Sequence, residues 1–438
     1  MKFSLVTFGC KLNQAESEKI SADLIMNGGI RVNLKSNPDM VIINSCAVTI
    51  KAVRECRQKV SYIKRHFPQA KVVVTGCFED RKWLAVDLWV ENKSKHKITE
   101  LIKNKFDFFD GKNKISIPGV RFDLASLALG RNRGMVKIQD GCDNFCSYCI
   151  IPFMRGRCYS VPPRFIVDDI LEYEQKGIRE VVLTGVNIGR YDYLIIDEDE
   201  KSSLAVDKNS LHLGSRVDLV KLLKFILKYT DIDRIRLGSL WPTDISFDLI
   251  DLIAQNKRLC PHFHLSIQSG SDQVLQCMNR DYTIAQIEII LNYALKKIEL
   301  LNFTADIIVG FPGETEADFK LSCELVDKFD FSKVHIFKYS PRPGTMAVKM
   351  EPKIGDKEKK KRAYILKQHC LRSAERAHFK FEGKYMDVLW EQKKGLYWTG
   401  FSQNYMMIYQ KQFSFDNFKN KITRLCYQRE NNYPGRGE

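Results

Sequence analysis

Asp140-Gly141-Cys142-Asp143-Asn144-Phe145-Cys146-Ser147-Tyr148-Cys149 sets three cysteines at spacings of four and three within one loop. The loop follows directly on Gly134-Met135-Val136-Lys137-Ile138-Gln139, a run that reads as a strand. Zinc sites usually combine paired CxxC units into four ligands. Three thiolates suit a four-iron cluster instead, with one iron left without a protein ligand. Such an open iron can chelate the amino and carboxylate groups of a small molecule and pass it one electron.

Downstream, strand patterns recur at residues 180–184, 234–237, 262–268, 305–309 and 333–338, with helical patterns between them at 167–176, 217–229 and 284–295. About six such units predict a partial β/α barrel with its chemistry at the carboxyl ends of the strands. Residues 191–216 break the rhythm with an acidic run, Asp197 to Glu200, and read as a surface insertion. The charge run from Asp356 to Arg362 opens a long helix and is expected to be a solvated face. From Phe381 onward, short strands punctuated by glycine and asparagine predict a small terminal β-barrel.

Upstream, strand and helix alternate. Residues 3–8, 39–46 and 71–77 read as buried strands, and 13–26 and 51–66 as helices, the second basic and amphipathic. This alternation predicts right-handed crossovers and a parallel sheet. The three strands end at Cys10, Cys46 and Cys77. In a parallel sheet all carboxyl ends share one edge, so the three cysteines are expected to converge on a second metal site. Residues 107–134 read as a linker.

The 438 residues exceed one ordinary core, and 44% hydrophobic with 28% charged residues is a globular composition. A net charge of +16 points to a polyanionic partner, nucleic acid first. No run approaches the ~18 apolar residues of a membrane span. The amino terminus lacks signal-peptide features, so a cytoplasmic location without membrane attachment is expected. Thirteen cysteines in a reducing compartment indicate metal or catalysis rather than disulfides.

The CxxxCxxC loop after the first barrel strand resembles the radical S-adenosylmethionine superfamily. That resemblance implies a [4Fe-4S] cluster on Cys142, Cys146 and Cys149, and one-electron cleavage of S-adenosylmethionine to a 5′-deoxyadenosyl radical. It makes Gly185 and Asn187, in Leu183-Thr184-Gly185-Val186-Asn187-Ile188-Gly189, together with Gln268 and Asp306, candidates for cofactor contact. Gly310-Phe311-Pro312-Gly313-Glu314-Thr315 is a glycine turn opening a helix, a place that favours anionic groups.

Gly9-Cys10-Lys11-Leu12-Asn13-Gln14, Asn44-Ser45-Cys46-Ala47-Val48-Thr49 and Thr75-Gly76-Cys77 precede that loop. Further matches are Arg155-Gly156-Arg157, Met278-Asn279-Arg280 and Tyr339-Ser340-Pro341-Arg342-Pro343-Gly344-Thr345. The series resembles the methylthiotransferase family. The implied architecture is α/β: an N-terminal three-layer parallel-sheet cluster domain at 1–110, a radical core with a partial β/α barrel at 128–375, and a small β-barrel like the RNA-binding TRAM domain at 378–438.

The resemblance also implies a second [4Fe-4S] cluster on Cys10, Cys46 and Cys77 that carries the inserted sulfur. Two molecules of S-adenosylmethionine would be used, one for methylation and one for the radical. Gly-Cys-Lys-Leu-Asn-Gln at 9–14 is similar to the branch acting on N6-threonylcarbamoyladenosine in tRNA. The expected partners are a tRNA anticodon stem-loop, its base splayed into the barrel mouth, and an electron donor such as flavodoxin or ferredoxin. Basic and aromatic stretches at 51–65 and 385–409 are candidates for RNA contact.

Two other branches act on isopentenyladenosine in tRNA and on an aspartate of a ribosomal protein. A non-enzymatic RNA-binding protein with structural zinc is the alternative outside catalysis. Trp241, in Leu237-Gly238-Ser239-Leu240-Trp241-Pro242, stands where the family usually has glutamate, and Cys158 and Tyr159 stand where it usually has serine and arginine. The remaining cysteines, Cys56, Cys158, Cys260, Cys277, Cys323, Cys370 and Cys426, are expected to be buried or incidental.

Overall fold

Each interior strand of the first sheet alternates its apolar side chains between two faces, and both faces are covered. Met40 and Ile42 pack with Phe3, Leu24, Val73 and Ile102 on one side. Val41 and Ile43 pack with Cys56, Val60, Ile63, Val72 and Val74 on the other. The result is the expected three-layer arrangement of a parallel sheet between helices. The computed structural model describes residues 1–78, 86–106, 132–195, 214–411 and 417–432. Most of the predicted linker at 107–134, residues 107–131, and most of the acidic insertion, 196–213, lie outside the described residues.

The chain forms two compact units. The first comprises Met1–Gly130, Asp140–Cys158 and Ser340–Val348. Its sheet runs Ile30–Arg31, Lys2–Thr7, Met40–Ser45, Lys71–Gly76, Leu88–Val90 in spatial order, all pairs parallel. That is the 2-1-3-4-5 order of doubly wound folds, whose strand order reverses between the first and third strands. Cys10 and Cys46 follow those two strands and Cys77 follows the fourth. The helix Ile50–His66 buries only Cys56, Val60 and Ile63, the single stripe predicted for it, and Thr49 caps it by accepting from Ala52 N at 3.1 Å.

The second unit comprises Arg131–Gln139, Tyr159–Tyr339 and Lys349–Glu438. Its parallel strands are Arg133–Lys137, Glu180–Thr184, Arg234–Leu237 continued by Ser239–Leu240, His262–Gln268, Asn302–Val309 and Lys333–Lys338. They pair in sequence order within two sheets, the first ending at Arg234–Leu237 and the second beginning at Ser239–Leu240, and correspond to the six predicted βα units. The insertion is not wholly irregular, because its ends, Asp192–Leu194 and Arg216–Asp218, pair antiparallel.

The charge run opening the helix Asp356–Lys380 is only partly a solvated face. Lys359 and Arg362 are buried, and Arg362 bonds Glu314 at 2.6 Å. Helical periodicity turns these two residues onto the barrel-facing side, which composition alone does not reveal.

Four antiparallel strands, Met407–Lys411, Tyr397–Ser402, Tyr385–Lys394 and Ile422–Cys426, form the terminal sheet in that spatial order, with a bulge between Trp390 and Gln392. Met386, Val388, Trp390, Trp398, Met406, Ile408 and Tyr427 make its core. This sheet docks on the amino ends of the barrel strands. Arg234 donates to the Phe401 and Asp387 carbonyls, Arg236 to those of Gln403 and Ser402, and Asn302 to that of Asn404. Arg133 pairs with Glu391 at 2.7 Å. Residues 401–405, inside a stretch predicted to contact RNA, are therefore engaged by the barrel, whereas Tyr385 and Leu396 are exposed.

Candidate active site

In the first unit the carboxyl ends of three neighbouring strands bring Cys10, Cys46 and Cys77 to one edge. The backbone there is crowded: a Cβ on Gly9, whose φ is +93°, would sit 2.7 Å from Cys46 Sγ. Only glycine fits that turn. Burial pushes the Cys10 thiol up from its ordinary value and raises that of Cys46 to about 11, with Arg155 opposing both rises.

Behind the three cysteines lies a buried polar network on the first helix, Lys11–Met26. Asn13 donates to the Phe8 and Ser45 carbonyls, both at 2.8 Å. Lys95 Nζ bonds Glu16 Oε2 at 2.6 Å and Asn44 Oδ1 at 3.3 Å. Asn92 Nδ2 lies 3.8 Å from Cys77 Sγ and 3.1 Å from the carbonyls of Gly76 and Met154.

The loop with Cys142, Cys146 and Cys149 belongs to the same unit. Gly141 has φ +71°, and any Cβ there would meet the Arg157 carbonyl at 1.9 Å. Cys142 N donates to Gly156 O at 3.1 Å and Cys149 N to Cys146 O at 2.9 Å. The short helix Ile151–Arg155 follows, and Ile150, Ile151 and Met154 pack with Ala47 and Cys77. Arg155 donates to Glu16 Oε1 at 2.9 Å, Asp140 Oδ1 at 2.8 Å and Asn13 Oδ1 at 2.6 Å. Residues 340–348 close the unit: Arg342 donates to the Ala47 carbonyl and Ala347 N to Ser147 O.

Among the described residues, no three His, Cys, Asp or Glu side chains stand ready to hold a single metal ion. A four-iron cluster is wider than one ion and holds its thiolates farther apart. The donor chemistry fits it: two sets of three soft thiols on tight glycine turns, lined by N–H donors and a buried guanidinium. Of the other seven cysteines, Cys56, Cys260, Cys323 and Cys370 are buried, Cys158 and Cys426 intermediate and Cys277 exposed.

In the second unit the predicted cofactor contacts lie on the barrel strands or directly after them. The side chain of Gln139 shapes the turn after Glu180–Thr184, its Oε1 accepting from Val186 N at 2.9 Å and Asn187 N at 2.8 Å. A Cβ on Gly185 would lie 2.8 Å from the Gln139 carbonyl. Gln268 is buried with φ +75°, beside a register shift in its strand, a strained position for a residue with a side chain. Asp306 lies 3.4 Å from His264 Nε2, while Thr304 Oγ1 is 2.9 Å from His264 Nδ1.

The turn at 310–315 is filled by the chain itself: Glu314 Oε2 accepts from Gly310 N at 2.6 Å, and Asp318 with Thr315 forms a capping box. Trp241, where a carboxylate is usual, carries the Arg280 guanidinium 3.8 Å from its ring centroid. A cation–π contact thus holds that arginine. Sequence reasoning missed Gln139, Glu16, Asn92 and Lys95, whose partners lie far away in the chain.

The radical SAM superfamily model matches residues 136–326, and the uncharacterised protein family UPF0004 matches residues 2–88. The threonylcarbamoyladenosine tRNA methylthiotransferase MtaB of Thermotoga maritima is 37% identical over 413 residues, 91% of this chain and 89% of that protein. Its namesake in Aquifex aeolicus is 34% identical, over 89% and 92%. The tRNA-2-methylthio-N(6)-dimethylallyladenosine synthase of Pelotomaculum thermopropionicum is 31% identical, over 83% and 81%. In fold, the chain is similar to the radical S-adenosylmethionine methyltransferase TsrM of Kitasatospora setae, with a TM-score of 0.53 at 15% identity, covering 80% of this chain and 75% of that one.

Proposed function

Because the chain belongs to the radical S-adenosylmethionine methylthiotransferase family, we propose that it adds a methylthio group to carbon 2 of N6-threonylcarbamoyladenosine in tRNA. The observation that carries this reading is the 37% identity across nine-tenths of the chain to a relative named for that nucleoside. The Gly9 to Gln14 motif agrees with it. A relative named for dimethylallyladenosine, at 31%, supports the second reading, the isopentenyl nucleoside at the same carbon.

Cys142, Cys146 and Cys149 would hold one [4Fe-4S] cluster and Cys10, Cys46 and Cys77 another. When bound, these groups supply the electron that cleaves S-adenosylmethionine and the sulfur that is transferred. The residues around them have definable tasks. Gln139 fixes the turn from Thr184 to Asn187, where the methionyl end of S-adenosylmethionine would lie. Gln268 and Asp306 would orient the rest of that molecule, with Thr304 and His264 bracing Asp306.

The three-part division at 1–110, 128–375 and 378–438 belongs to the same reading, as do a cytoplasmic site of action and a small one-electron carrier such as flavodoxin or ferredoxin. No helix among the described residues is long and apolar enough to cross a membrane. The net charge of +16 favours RNA over a protein substrate.

Mass spectrometry of tRNA nucleosides from a strain lacking this gene, with and without its reintroduction, tests the proposal. The 2-methylthio form of threonylcarbamoyladenosine should vanish and return. Loss of the isopentenyl form instead would establish the second reading, and unchanged nucleosides would remove tRNA as the substrate.

A further inference from the structure

The Arg155 side chain hydrogen-bonds both to the head of the Cys142 loop and to the helix behind Cys10. Its guanidinium bonds Asp140, two residues before Cys142, and Asn13 and Glu16, three and six residues after Cys10. Only 2% of its side chain is exposed. The residue before it, Met154, accepts through its carbonyl from Asn92, whose Nδ2 also faces Cys77 Sγ. Met154 itself packs against Cys77. A fixed cation from the segment that follows Cys149 and an N–H donor from the turn Asn92–Lys97 therefore converge on the Cys10–Cys46–Cys77 edge.

We infer that Arg155 and Asn92 are positioning residues that raise the electron affinity of the group bound by Cys10, Cys46 and Cys77. Hydrogen bonds to sulfur and nearby positive charge are the protein's main means of tuning an iron–sulfur site. Glu16 accepts from both Nη1 and Nη2, Asp140 from Nη1 and Asn13 from Nη2, so the charge cannot swing away into solvent. Lys95 adds a second cation on Glu16, which leaves that carboxylate shared.

The chemistry gives such tuning a use. Joining a carbon radical to a thiolate sulfur forms one two-electron bond from three electrons, and the third must be accepted nearby. An acceptor of raised electron affinity makes that step favourable. The inference rests on the proposed function insofar as Cys10, Cys46 and Cys77 hold a cluster.

The test uses the full-length chain with Cys142, Cys146 and Cys149 all changed to alanine, purified anaerobically, so that iron and sulfide report only the other three cysteines. The midpoint potential is then read by EPR-monitored titration. Arg155→Met should make the site about tenfold less reduced at a fixed potential, a shift of about 59 mV to more negative values. Arg155→Lys should restore at least half of the shift, and Asn92→Ala should shift it in the same direction by less.

Equal shifts in Arg155→Met and Arg155→Lys, or no shift in either Arg155→Met or Asn92→Ala, would overturn the inference while leaving the proposed function intact. Absence of iron and sulfide from the parent triple variant would overturn both. If Arg155→Met loses its iron through misfolding, Asn92→Ala decides: a negative shift sustains the inference and an unchanged potential ends it.

Discussion

Replacing Arg236 with methionine should unfasten the terminal sheet from the barrel. Arg236 and Glu180 are fully buried, joined by Nε to Oε1 at 2.6 Å and Nη2 to Oε2 at 3.1 Å. The same guanidinium donates to Gln403 O at 3.1 Å and Ser402 O at 3.3 Å. Arg236 holds the Glu180 carboxyl down at about 2 against a burial that acts to raise it, so Glu180 is ionised throughout the working range. Removing the arginine leaves two buried carbonyls without their donor and the Glu180 anion with only the longer Arg234 contact, 3.5 Å from Oε2. Breaking one side of a buried pair costs about 3–5 kcal/mol, or roughly 10 °C in melting temperature for a unit of this size. Thermal unfolding followed by tryptophan fluorescence reads this directly, because Trp390 and Trp398 lie in the sheet's core. Combining Glu180→Gln with Arg236→Met should recover at least ~1.5 kcal/mol of the loss, since the stranded charge disappears. A single-variant loss below about 1 kcal/mol, or strict additivity in the double variant, would refute the claim that this pair anchors the sheet.

His378 is buried against the Tyr427 hydroxyl, and desolvation with help from Arg429 lowers it from 6.5 to about 4. A histidine depressed in the folded state adds stability above its unfolded value, and that stability is lost as pH falls from about 6.5 to 4. Chemical unfolding should lose roughly 3 kcal/mol over that window, and His378→Gln should flatten the profile; an unchanged slope in the variant would exclude His378 as its source. Gln139→Ala strips the acceptor from two backbone N–H groups at Val186 and Asn187, each worth ~1–3 kcal/mol when buried. Binding of S-adenosylmethionine, measured by equilibrium dialysis, should weaken at least ~10-fold, with Gln139→Glu retaining most of the affinity.

Periodicity carried most of the architecture. Lys71-Val72-Val73-Val74 can only be a strand buried on both faces, and the recurrence of such runs leaves few topologies. The cysteines at their ends were readable because each sits at the same point in a repeating unit. The network behind them was not. Glu16 and Lys95 are 79 residues apart, and Arg155 and Glu16 are 139 apart. Nothing in a one-dimensional pattern distinguishes a charge that finds such a partner from one that faces water. Asn13, Glu16, Ser17, Glu18 and Ser21 are all buried on a helix whose apolar residues alone predict a narrow stripe. The same blindness hid Lys359 and Arg362 within a run that reads as solvated.

The barrel's two ends solve opposite problems with the same strands. At the amino ends, Arg133, Glu180, Arg234 and Arg236 are paired or bonded to carbonyls of the terminal sheet. Such fixed contacts suit a support that must not move. At or near the carboxyl ends, Gly185 makes a tight turn against Gln139, and Gln268 holds strained backbone. The strand Asn302–Val309 runs between them, and its eight residues span roughly 26 Å at ~3.3 Å each. RNA held at the exposed Tyr385 side of the terminal sheet would therefore have to cross that length for its target base to reach the carboxyl ends. Contacts on that sheet should then govern affinity, while the turns at the carboxyl ends govern chemistry.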